Sequence, residues 1–110
     1  MQSPTNQLNQ ADLESLKQIQ AYIWQMGVER GFNEDLSKKM LMLTEEVGEI
    51  ARAIRKLSGL KFDASTAQSD LAGEIADVFI VLLGLASLAK IDVAEAVKLK
   101  EEKNKKRSWK

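Results

Sequence analysis

Between Leu36 and Leu57 the apolar residues Leu36, Met40, Leu43, Val47, Ile50, Ile54 and Leu57 recur at alternating steps of four and three. An α-helix gathers that spacing on one side, whereas a strand would scatter it over both faces. A seam close to a coiled coil's in regularity has to be covered by another helix. Asn33 is placed to cap this helix, Glu34 and Asp35 suit the positive end of its dipole, and Gly59 follows its last apolar residue. A chain of 110 residues, 45% hydrophobic and 29% charged, has material for one core. With one proline, Pro4, and 5% aromatics, it reads as helical and not as a turn-rich β-sandwich.

Three further helices are predicted. The first starts at Asn9 as N-cap, with Asp12 in its first turn, carries Leu13, Leu16, Ile19, Ile23 and Met26 at helical spacing, and ends between Gly27 and Gly31. Residues 59–68 (GLKFDASTAQ) read as a loop. A third helix over 69–89 is apolar on nearly every side beyond Asp77, the pattern of a central or subunit-interface helix. Asp92 and Glu95 space as a capping box for a fourth helix ending near Lys106. The expectation is an all-α four-helix bundle: residues 9–110 form a single helical domain behind a flexible N-terminus, residues 1–8. Two strongly apolar seams are too much exposed surface for a monomer, so the bundle is expected to be completed by oligomerisation.

Sixteen basic residues balance sixteen acidic ones, so bulk charge advertises neither a nucleic acid polymer nor a membrane surface as partner. Residues 98–110 nevertheless hold seven basic and two acidic residues. The opening MQSPTNQLNQ lacks the charged and apolar regions of a signal peptide, and the run from Val78 to Ala89 is short for a bilayer span, so a cytoplasmic protein is expected.

The absences narrow the chemistry. With no Cys there are no disulfides, thiolate nucleophiles or sulfur-ligated zinc, and with no His there is no Ser-His-Asp or Cys-His catalysis. Catalysis would rest on carboxylates, amines, hydroxyls, amides or an oxygen-held metal, and oxygen ligands favour Mg²⁺ or Mn²⁺.

Two acid pairs stand beside the apolar seams. At about 100° per residue, Glu46 and Glu49 lie roughly 60° apart, one turn along the same side of the helix. Glu46 is flanked by Met42, Ile50 and Ala53, and Glu74 and Asp77 repeat the arrangement beside Val81 and Gly84. Acids on helices are usually solvated; but if these two helices are antiparallel neighbours, four carboxylates converge. Arg52 and Arg55 point away from Glu46, so such a cluster stays ionised only with a cation, and a divalent metal site follows.

Glu45-Glu46-Val47-Gly48-Glu49 followed by Glu74-Ile75-Ala76-Asp77 resembles the Glu-x-x-Glu … Glu-x-x-Asp pattern of the MazG-like, all-α nucleoside triphosphate pyrophosphohydrolases. The likeness covers roughly residues 10–109, including MLMLTEEVGEIARAI, EIADVFIVLLGLASLAKIDVAEAV and the closing KLKEEKNKKRSW. It implies Mg²⁺-dependent hydrolysis of a (deoxy)nucleoside triphosphate between its α- and β-phosphates, giving monophosphate and pyrophosphate in a house-cleaning role. It also implies metal ligation by Glu46, Glu49, Glu74 and Asp77, and a homodimer or homotetramer. Glu45, beside the ligands, is the candidate base for the attacking water. Lys100, Asn104 and Arg107, spaced i, i+4, i+7, put an ammonium, an amide and a guanidinium on one helix face and are the candidate substrate-binding residues; the likeness supports a Lys and an Asn here. Trp24 and Phe32 are expected in the core, with base stacking the alternative, and Trp109 either closes over the site or packs the tail.

Two departures bear on the substrate. Lys56 stands where deoxycytidine-preferring relatives carry a base-stacking Trp, and the Tyr-His of phosphoribosyl-ATP pyrophosphohydrolases is missing after Asp77. The rival to an enzyme is a nucleotide-responsive helical binding module that keeps the pocket without turnover.

Overall fold

The computed structural model describes residues 8–32, 35–58 and 64–107, with the backbone alone for 64–69. Four helices follow in order: α1 (Gln10–Arg30), α2 (Leu36–Ser58), α3 (Ala64–Leu88) and α4 (Val93–Lys105), with no strand among the described residues. α2 packs on α3, α3 on α1, and α1 on α4. α3 is thus central, but part of its apolar surface, at Ile75, Phe79, Ile80 and Leu82, stays exposed. Leu83, on α3, has no exposed surface, and Leu13, Val81 and Ala86 join it in the core.

Short-range cap signals hold well. The Asn9 side chain accepts from Asp12 N at 2.8 Å and starts α1. Gly31 ends it in the left-handed conformation at φ 73°, and the N–H of Phe32 reaches back to Gly27 O at 2.8 Å. Asp92 accepts from Glu95 N at 3.2 Å and starts α4. At α2 the cap is Asp35: its carboxylate accepts from Lys38 N at 2.9 Å and its carbonyl from Lys39 N at 3.1 Å. The expected cap Asn33, with Glu34, Gly59 and residues 1–7, lies outside the described residues. α3 begins at Ala64, so residues 64–68 of the expected loop are helical. Ala64, Ala67 and Gln68 favour helix, and no Gly or Pro interrupts the run.

Gln20 ties these elements together from a buried position. Its Nε2 donates to Ser87 Oγ at 3.0 Å and to Ile91 O at 2.9 Å, and its Oε1 accepts from Val93 N at 3.0 Å. One amide therefore joins α1, the end of α3 and the start of α4. Nearby, Lys17 Nζ pairs with Asp92 at 2.5 Å, which holds the Asp92 carboxyl below its usual range. Gln20→Ala leaves a buried carbonyl and N–H without their partner, so it should destabilise the fold by about 2–3 kcal/mol. Denaturant unfolding followed by circular dichroism measures this.

The α2 seam does not turn inward as a unit. Met40, Val47 and Ile54, seven residues apart, are 53%, 51% and 48% exposed, while Leu43, Ile50 and Leu57 are half-buried. The stripe set against α3 is instead Lys39, Glu46 and Ala53, again seven apart, with Lys39 and Ala53 buried. The stretch Asp70–Leu88 of α3 is long and apolar enough to cross a membrane by length and composition, beyond the run of Val78 to Ala89. Only 22% of that stretch is buried, and three acids, Asp70, Glu74 and Asp77, lie within it.

Candidate metal centre

The antiparallel pairing of α2 and α3 brings acids from both helices together. Lys39 lies opposite Gly84, and seven residues further along α2 Glu46 lies by Asp77, seven residues back along α3. Both pairings belong to one register. Carboxylate oxygens of Glu46, Glu74 and Asp77 come within 4.8 Å of one another. Glu46 and Glu74 are half-buried and Asp77 is exposed, so the cluster sits at the mouth of the interhelical groove.

The electrostatics agree with that crowding. Burial raises the Glu46 carboxyl above the usual glutamate range, and the charges of Asp77 and Glu74, a hydrogen bond with Glu74 and the charge of Glu49 push the same way. A half-buried carboxylate among like charges is stabilised by a hard cation, and three oxygen donors from two rigid helices fit one.

Three of the four expected ligands are therefore together. Glu49, one turn beyond Glu46, is half-buried and pairs with Arg52 Nη1 at 3.4 Å. An exposed pair of that kind contributes at most about 1 kcal/mol, so it is a weak restraint on Glu49. Glu45 is exposed and does not line the groove. Lys100 and Asn104 are on α4, which packs on α1, and Arg107 lies just past its end; none of them lines the groove. Asn104 Oδ1 is buried with no hydrogen-bond partner.

The groove itself is a cavity of about 270 Å³ between three helices. Glu46 and Asp77 mark one end; Ile23, Phe32, Met42, Ile80 and Val81 give apolar wall, and Arg30 and Lys39 are its cations. Phe32, expected in the core, is 53% exposed on this wall, because the Gly31 turn carries it past the end of α1. Trp24 lines a separate cavity of about 400 Å³ with Gln20 and Ser87. Trp109 lies outside the described residues. Arg30 and Lys39 escaped the sequence reading. The signal for Lys39 was its place seven residues before Glu46.

A dATP/dGTP diphosphohydrolase of Salmonella phage PMBT28 is 47% identical over 60 residues, which are 54% of this chain and 21% of that protein. The chain thus spans about a fifth of the length of the curated relative it matches. No solved structure matches significantly. The family model for the MazG nucleotide pyrophosphohydrolase domain matches residues 34–110, a stretch that contains every member of the carboxylate cluster. With most of its length matched in this way, the chain belongs to the MazG nucleotide pyrophosphohydrolase family.

Proposed function

We propose that this chain hydrolyses (deoxy)nucleoside triphosphates at the α–β anhydride, releasing monophosphate and pyrophosphate, with Mg²⁺ as the metal. The observation that carries the reading is the meeting of Glu46, Glu74 and Asp77 from two helices at one end of a groove whose wall includes Phe32. The named activity of the phage relative, on dATP and dGTP, is consistent with it.

In this reading Glu46, Glu74 and Asp77 hold the metal, with Glu49 joining them by a change of rotamer. Bound there, Mg²⁺ would supply charge neutralisation for the phosphate oxygens and would lower the pKa of a water. Glu45, one residue before Glu46, accepts the proton of the attacking water on a carboxylate oxygen as the α–β anhydride opens. Phe32 offers a face for the base. Removal of surplus or damaged nucleotides is the corresponding cellular role.

We infer further that the working unit is a homodimer or homotetramer. Ile75, Phe79, Ile80 and Leu82 on α3 are exposed, like Met40, Val47 and Ile54 on α2. The radius of gyration, 16.9 Å, exceeds the about 13 Å of a compact domain of similar length. A second copy of the α2–α3 pair is the cover such faces fit. Lys100, Asn104 and Arg107 enter as substrate contacts made between copies, since α4 is seated on α1.

Pyrophosphate release from a panel of standard and modified nucleoside triphosphates, with Mg²⁺ and then with EDTA, tests the reaction. EDTA-sensitive pyrophosphate from one or a few substrates is the expected result. Metal-dependent binding without turnover would select the nucleotide-responsive binding module, a reading favoured by the exposure of Glu45 outside the groove.

A further inference from the structure

Lys39 is the least expected residue of the groove. It is 5% exposed, yet it is a lysine on an amphipathic helix with solvent available on the opposite side. Long cationic side chains normally lay their methylenes on apolar surface and keep the ammonium in water. Here the side chain runs between α2 and α3 to Gly84, where a methyl in place of the glycine hydrogen would stand 3.6 Å from both Cε and Nζ. Among the described residues no carboxylate or carbonyl accepts from Nζ. The ammonium itself keeps contact with solvent at the groove, so its N–H bonds are open to an acceptor that enters there.

Its position selects the part of a nucleotide that would do so. Seven residues of helix separate Lys39 from Glu46, and seven separate Gly84 from Asp77, a rise of about 10 Å along each helix backbone. A metal held by Glu46, Glu74 and Asp77 would draw the phosphates of a triphosphate to that end. The apolar residues that share the groove with Lys39, namely Ile23, Phe32, Ile80 and Val81, suit a ring and not a further phosphate. An ammonium only donates, so it favours a base edge with adjacent acceptors. A 6-oxopurine presents O6 and N7 side by side, whereas adenine sets an amino donor beside N7.

We propose that Lys39 is a specificity-determining residue whose ammonium reads the O6/N7 edge of the base, making 6-oxopurine nucleoside triphosphates the preferred substrate class. The inference rests on the pyrophosphohydrolase reading for the placement of the phosphates. Gly84 is its neighbour across the helices, where even a methyl would be in ordinary van der Waals contact with Cε and Nζ.

The test compares dITP with dATP, and dGTP with 7-deaza-dGTP, by equilibrium binding in the presence of Mg²⁺ and by kcat/KM for pyrophosphate release. The first pair exchanges the 6-oxo for a 6-amino edge, and the second removes the N7 acceptor. Wild-type protein should favour the first member of each pair by roughly 10- to 100-fold. Lys39→Met, similar in length and apolar, should bring both ratios near unity. Lys39→Gln, a second variant in case the first fails to fold, should reduce both ratios to a few-fold. Equal affinity and rate for dITP and dATP in the wild type would overturn the proposal whatever the variants do. A uniform loss across all four nucleotides in Lys39→Met would also overturn it, by making the lysine a phosphate ligand. If no nucleotide is hydrolysed but the binding ratios behave as stated, the base-reading site stands and the catalytic reading falls.

Discussion

Glu46→Gln is expected to abolish activity and, at the same time, to stabilise the metal-free protein. The activity loss follows from removing a central carboxylate of the cluster, and its expected size is on the order of 10³ in kcat. The gain in stability has a separate cause. Burial and the charges of Asp77 and Glu74 raise the Glu46 carboxyl above its ordinary range, so folding favours its protonated form. The stability this group contributes is present below the ordinary glutamate range and is lost as the pH rises through the raised pKa. At neutral pH, without metal, the ionised group works against the fold. A glutamine keeps the volume, can donate its amide N–H to Glu74 and carries no charge, so the thermal midpoint should rise. Wild-type protein in EDTA should lose stability between mildly acidic and neutral pH, and the variant should lose less. Mg²⁺ should raise the wild-type midpoint more at neutral than at acidic pH and should barely move the variant's. Thermal melts at two pH values, with and without metal, measure all of this. A variant that keeps the wild-type turnover would remove Glu46 from the site.

Signals that act within one helical turn were legible in the sequence. Asn9 and Asp92 cap their helices because the donor each satisfies is three residues away. The acid cluster was legible for a related reason: an i, i+3 pair stays on one side of a helix, so Glu74 and Asp77 meet Glu46 once the helices are neighbours. Which face of α2 meets α3 was not. Two stripes with heptad spacing compete on that helix, the apolar Met40, Val47 and Ile54 and the mixed Lys39, Glu46 and Ala53, and burial by composition favours the first. The mixed stripe is the one against α3, where Lys39 lies beside Gly84, 45 residues away. A contact between residues that far apart in the chain leaves no periodic trace. Phe32 was misplaced for the same kind of reason, since its position depends on the left-handed turn at Gly31 and not on its own hydrophobicity.

Val47→Glu carries the other large expected effect, because it asks what the outward stripe of α2 is for. Val47 is at the centre of that stripe and 51% exposed, with Met40 and Ile54 one heptad away on either side. On a monomer, a valine-to-glutamate change at such a site is nearly neutral, within about 0.5 kcal/mol. Across an interface between copies it buries an unpaired carboxylate, and the penalty is several kcal/mol. Wild-type protein should therefore sediment at a multiple of the 12.3 kDa chain mass, and the variant should fall to monomer or lose its cooperative melt. Loss of assembly should also raise KM, if Lys100, Asn104 and Arg107 reach substrate from a neighbouring copy, while Glu46, Glu74 and Asp77 remain together within each chain. A monomeric wild type that turns over substrate would return the seam to the solvent. An oligomer indifferent to Val47→Glu would move the interface to the exposed residues of α3, Ile75, Phe79 and Leu82, which would then be the next positions to charge.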